Sequence, residues 1–214
     1  MYAAHWRHLI SIALVVYVAI SLLTLLLAVV LGSLGVVLGS LVGLAGIFWL
    51  QGALVIAIDD VRDGRADLGV GQTLERVKPR VGTLVLAGLI AGVAVGIGFL
   101  LLIVPGLYLL TIWLVIIPAI MLEGRGVGDA FGRSRELVRG YGWSVFGVIV
   151  LTFLIVVGVS IAVSLVRNAV GADWAGFVVN IVGESLTAPL LALAWTITYY
   201  ELRDLKGAGP ATAV

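Results

Sequence analysis

From Gly35 to Ile58 the chain carries no charged residue, and then "DDVRDG", Asp59 to Gly64, crowds charges together. A helix rises 1.5 Å per residue, so about 20 apolar residues cross a hydrocarbon core of about 30 Å. A soluble helix keeps one face polar. This stretch is apolar on every face, and so are five others. Composition agrees: 62% of residues are hydrophobic, 12% are charged, and mean hydropathy is +1.21. Soluble domains carry about 25% charge. The runs divide into six expected spans: Leu9–Leu31, Gly35–Ile58, Val81–Ile103, Leu107–Leu122, Trp143–Val166 and Phe177–Tyr200. A β-barrel would alternate apolar and polar residues over short strands. The predicted fold is therefore all-α: a polytopic membrane protein of six transmembrane helices in one domain, residues 1–206, followed by a flexible tail, 207–214. The first run is long and leads through "GSLG" into a second, so it reads as a retained span rather than a cleaved signal.

The spans pair as three hairpins, about 9–58, 81–122 and 143–200. "GSLG" joins the first pair and "VPG", Val104 to Gly106, the second. The fourth span is short unless helix continues through Pro105, and Pro118 is expected to kink it. Of the thirteen Lys and Arg residues, only Arg167 falls on the side away from the termini. The positive-inside bias then makes both termini cytoplasmic, in a cell membrane.

The even-numbered spans each close with an acidic residue, any residue, then arginine: Asp60/Arg62, Glu123/Arg125 and Glu201/Arg203. Asp63 and Asp204 extend the first and last. The two long loops repeat as well. "VGQTLERVK" from Val70 aligns with "VGDAFGRSR" from Val127, matching Arg76 with Arg133 and Lys78 with Arg135. Each is expected to form a short amphipathic helix in the interface plane, with Val70, Leu74 and Val77, or Val127, Phe131 and Val138, on its apolar side. An ordinary loop helix packed under the bundle is the alternative. The basic residues Arg76, Lys78, Arg133 and Arg135 are candidate docking residues for anionic lipid or a partner protein.

Glycine is abundant, at 28 residues. Gly35, Gly39 and Gly43 recur every four positions, as do Gly88, Gly92 and Gly96. Such faces let helix backbones approach, within the chain or between copies of it. No filter motif or ring of charge suggests a glycine-lined pore.

"NIVGESLTAP" holds the most informative polar residues. Asn180, Glu184 and Thr187 follow i, i+4, i+7 spacing and share one helix face. A charge inside a span costs about 2.5–3.5 kcal/mol even on lenient scales, so it should not face lipid. Glu184 then serves an ion, proton or polar-substrate site, or is a structural carboxylate or partner of Arg167, or lies at the interface. Gln51 is the other polar residue in mid-span, and its meeting with Glu184 would favour the functional reading. Pro189 frees the carbonyl of Ser185.

Enzyme chemistry finds little support. There is no cysteine, hence no disulfide or thiolate site, and Ser185 has no histidine base in any span. His5 and His8 stand alone near the N-terminus, beside Trp6 and Arg7. Asp59, Asp60, Asp63 and Asp67 interleave with Arg62 and Arg65, which suits an interfacial ion network better than a metal site. No cofactor and no metal is expected, and the net charge of +1 gives no reason to expect nucleic acid.

The segment Leu100 to Trp143 resembles the core of the glycerophosphoryl diester phosphodiesterase membrane-domain family and the related YciC-like membrane proteins. The matching features are Pro105, Gly106 and Tyr108 at the turn, Pro118, Glu123, and the run Ala130, Ser134, Leu137, Gly140, Trp143. "YYELRD" near the end also has a counterpart. The resemblance implies a six-helix membrane module. It does not imply phosphodiesterase activity, which in fused proteins belongs to a separate soluble barrel domain with no counterpart in these residues. The expected function is a non-enzymatic membrane scaffold, regulator or assembly partner. The alternatives are a small transporter or channel using a cavity near Glu184 and, with least support, a lipid-modifying enzyme.

Overall fold

The computed structural model describes residues 2–62, 67–170 and 173–207, with side chains described over 6–62, 67–168 and 178–207. Asp63, Arg65, the side chain of His5 and the expected tail beyond Gly207 lie outside the described residues. Among those described there are nine α-helices and no strand. They are α1 (Tyr2–Leu31), α2 (Ser33–Asp60), α3 (Val70–Val77), α4 (Val81–Leu101), α5 (Ile103–Ile112), α6 (Ile116–Glu123), α7 (Val127–Val138), α8 (Gly142–Val170) and α9 (Asp173–Leu205). A single 3-10 turn, Lys78–Arg80, links α3 to α4. Six helical runs are long and apolar enough to cross a membrane, with α3–α4 and α5–α6 each counting as one.

The turns are tighter than the sequence suggests. Only Gly32 separates α1 from α2, and its φ of 57° is the left-handed conformation that glycine adopts without penalty. The central hairpin turns at Leu102, not at "VPG": Leu102 is extended and α5 begins at Ile103. Pro105 thus sits in the first turn of α5, where a backbone N–H has no helical partner to lose. Gly106 lies one residue on, so close to α4 that a Cβ on Gly98 would come within 3.0 Å of its backbone. The bend in the fourth span falls at Trp113–Val115, just before Pro118. Pro118 cannot donate to the carbonyl of Leu114, so the helix breaks there and restarts as α6.

α2 is the central element and packs against α1, α3, α4, α6 and α9. Its second half, from Leu50 to Ile58, is buried except at Ile56, which is half-buried. Against it lie Leu9, Ile12, Ala13 and Val16 of α1, Leu84 and Ala87 of α4, Ile116 to Leu122 of α6, and Tyr199 of α9. All of these lie near the end of the bundle that carries the loops and termini. At the opposite, turn end, Leu22 to Leu41 contribute only Gly35 and Gly39 to the buried set.

The loop helices turn their apolar faces onto this core: Val77 and Val138 are buried, and Val70, Leu74, Val127 and Phe131 pack against it. Trp49 Nε1 donates to the Leu74 carbonyl (3.2 Å), tying α3 to α2. Ser134 Oγ donates to the Ile112 carbonyl (2.8 Å), which the bend leaves without a helical donor, and Phe131 meets Trp113 edge-on at 4.8 Å. The bend of α5–α6 is thereby filled by α7.

Candidate functional site

Gln51 of α2 and Asn180, Glu184 and Thr187 of α9 line a single cavity of about 500 Å³. Its other walls come from Tyr17 of α1, Phe48 of α2, Ile117 of α6, and Ser160 and Ser164 of α8. The cavity thus lies between the first and third hairpins, with the fourth span behind it. α9 supplies the polar stripe because its i, i+4, i+7 residues share a face. Gly183 lets α8 approach, since a Cβ there would meet Val163 at 2.6 Å.

The polar groups differ in depth. Asn180 and Glu184 are exposed, Thr187 is half-buried, and Gln51 is 8% exposed. Thr187 Oγ1 donates to the Gly183 carbonyl (2.8 Å). Buried Gln51 Oε1 has no hydrogen-bond donor among the described residues. A buried acceptor left unsatisfied costs about 1–3 kcal/mol, so it marks a place for a donor. Among the described residues no salt bridge joins Glu184 to Arg167. Ser185 Oγ is buried and has no hydrogen-bond partner among the described residues, but Ser185 does not line the cavity.

Some of the charged residues near the ends of the even-numbered spans, Asp59, Arg62, Glu123 and Arg203, meet at a different place, around two adjacent tyrosines. Tyr199 donates its hydroxyl to Glu123 Oε1 (2.8 Å), and Tyr200 donates to Asp59. The Arg62 guanidinium lies over the Tyr200 ring at 4.2 Å, and Arg203 over the same ring at 4.8 Å. Arg203, only 5% exposed, rests its charge against both tyrosine rings and pairs with Asp204 at 3.7 Å. Asp60 instead accepts from the Leu68 backbone N–H (3.0 Å), and Glu201 is exposed. The aspartates therefore point to separate tasks. Among the described residues no cluster of three metal-ligating side chains forms.

Arg133 turns inward. Its Nε donates to both oxygens of Glu123 (2.9 Å each) and its Nη1 to Glu136 (3.1 Å). Burial works against its charge, yet the hydrogen bonds and attraction of the two carboxylates outweigh this and raise its pKa above the ordinary arginine value. Arg125 completes the set around Glu123 at 3.1 Å. Arg76, Lys78 and Arg135 are exposed, with Lys78 in a surface pair with Glu75 (3.3 Å). Arg80 donates to the Ile120 and Met121 carbonyls (3.2 and 2.5 Å). It caps α6, whose chain then leaves through Gly124 at φ 67°.

The tyrosine cluster was not evident from residue spacing: "YYELRD" offers two aromatic hydroxyls beside a charge pattern, without saying which carboxylates they reach. No protein-family model matches the chain, and neither a curated protein nor a solved structure matches it.

Proposed function

We propose that this chain is a small non-enzymatic membrane module that binds a cationic, hydrogen-bond-donating group in the cavity at Glu184, as the first step of carrying it across or out of the bilayer. The observation that carries this reading is the meeting of Gln51 with Asn180, Glu184 and Thr187, from two helices of different hairpins, in one cavity. A carboxylate and an unpaired buried amide oxygen are both acceptors. An ammonium or guanidinium group complements both. An anionic solute would oppose Glu184.

The wider setting belongs to the same proposal. The three hairpins descend from one repeated unit, with α3 and α7 as matching elements at the membrane edge. Both loops and both termini face the cytoplasm of a cell membrane. The likeness to the glycerophosphoryl diester phosphodiesterase membrane domains concerns this layout and brings no activity with it.

Thermal unfolding of the purified protein with ethanolamine, a primary ammonium, as the cation probe tests the binding step. Ethanolamine raises the midpoint for the native chain and leaves Glu184→Gln unmoved, while acetate affects neither. Equal shifts for both proteins would refute a role for Glu184. A scaffold or regulatory role is the second reading, favoured by the exposure of Arg76 and Lys78 on α3 and its linker. It predicts that partner or anionic-lipid binding falls in Arg76→Gln/Lys78→Gln and survives Glu184→Gln.

A further inference from the structure

A second cavity, of about 1050 Å³, shares no lining residue with the first and lies between α5, α7 and the start of α8. Along α5 it runs from Val104 through Tyr108 to Ile112, and along α8 it takes Trp143 and Phe146. These walls are apolar and open: Val104 is 75% exposed, Tyr108 55% and Trp143 87%. The last turn of α7 and the residue after it close the groove with Arg135, Glu136 and Arg139.

The charges at that end are unevenly spent. Glu136 is held by Arg133 at 3.1 Å, so its charge is offset from within the bundle. Among the described residues neither Arg135 nor Arg139 has a carboxylate within salt-bridge distance. Lys206 adds a third cation nearby, donating to the Arg139 carbonyl at 2.8 Å. The groove is therefore amphipathic along its length, with an apolar trough leading to a cationic end. Its volume, at the upper end of the range for small-molecule pockets, leaves room for a lipid segment.

We propose that this groove is a binding site for one anionic membrane lipid, whose acyl chain lies along Val104, Tyr108 and Phe146 and whose phosphate sits between Arg135 and Arg139. Arginine presents paired N–H donors to phosphate oxygens, which a zwitterionic choline headgroup would also meet but with its own cation opposing the site. Trp143, at the junction of trough and charge, occupies the headgroup level that tryptophan favours. This site is independent of the cavity at Glu184.

The test uses the full chain in liposomes containing brominated phosphatidylglycerol or brominated phosphatidylcholine. The Trp143 signal is isolated as the difference from Trp143→Phe. Brominated phosphatidylglycerol quenches Trp143 at roughly tenfold lower mole fraction than brominated phosphatidylcholine, and Arg135→Gln/Arg139→Gln abolishes that preference. Arg76→Gln/Lys78→Gln, which alters basic residues outside the groove, keeps it. Equal quenching by the two lipids, or equal loss in both double variants, would overturn the proposal. So would an unquenched Trp143 in a dimeric chain, which would assign the groove to a second copy. A double variant that failed to fold would be replaced by Arg135→Lys/Arg139→Lys. Those lysines keep the charge but lose the paired donors, and an undiminished preference would remove phosphate pairing from the account.

Discussion

At the loop end of the bundle, side chains from all three hairpins interlock around the second half of α2 and the Tyr199–Tyr200 pair. At the turn end, contact within each of the first two hairpins rests on missing side chains. A Cβ on Gly35 would lie 1.8 Å from the Leu27 carbonyl oxygen, and one on Gly39 would lie 3.3 Å from Thr24. The contrast follows from the solvent. In lipid, apolar side chains gain nothing by leaving hydrocarbon for protein, so helices associate through close backbone approach or through polar groups. The loop end has polar groups to join; the turn end has only glycine. Both candidate cavities are lined in part by α8, whose most apolar part has no buried residue.

The contrast breaks most readily by removing bulk at each end. Leu54, fully buried in α2, should cost about 3–4 kcal/mol as Leu54→Ala, because the cavity adds to the lost contacts. Leu26, 59% exposed in α1, should cost less than about 0.5 kcal/mol as Leu26→Ala. Reversible unfolding in mixed micelles reads both, and similar costs would erase the distinction.

Polar coupling at the loop end comes next. Arg133→Ala leaves Glu123, whose side chain is 10% exposed, without its principal cation, at about 3 kcal/mol. A cost under about 1 kcal/mol would mean that Tyr199 and Arg125 suffice to hold it.

Glycine sharpens the turn end. Gly35→Ala sets a methyl against backbone that cannot swing aside, at about 2 kcal/mol. Gly92→Ala meets nothing within 4 Å and should change stability by less than about 0.5 kcal/mol. A large effect at Gly92, measured with the oligomeric state, would show that its face is covered by another chain.

The hydroxyl of Tyr200 follows, with a smaller loss than Leu54, Arg133 or Gly35. Tyr200→Phe removes the hydrogen bond to Asp59 while keeping the ring beneath Arg62 and Arg203, at about 1 kcal/mol. Hydrogen exchange at the end of α2 should rise with it.

The spans were legible because charge-free runs between charged end-stops have few other uses. Turn positions were less so: "VPG" names the right neighbourhood, but whether proline ends a helix or begins one depends on which backbone N–H groups already lack partners. Three of the four cavity residues could be placed together from spacing, since helical periodicity is local. Gln51 joined them only through packing of α2 on α9, which spacing does not encode. The same limit hid the inward turn of Arg133 and the convergence on Tyr199 and Tyr200. The glycine patterns at Gly35 and at Gly88 look alike in sequence. Yet the first closes α1 on α2, while Gly88 meets Phe48 and Gly92 and Gly96 meet nothing nearby.

Under the proposed function, Glu184 makes its cavity a site for cations reached by water. The chain has no cysteine, so Thr187→Cys places one thiol beside Glu184 without further changes. Its reaction rates with membrane-impermeant cationic and anionic thiosulfonates in liposomes measure access and charge together. The cationic reagent should react roughly tenfold faster, and Glu184→Gln should equalise the two. Failure of both reagents to react, or a preference unchanged by Glu184→Gln, would contradict the account.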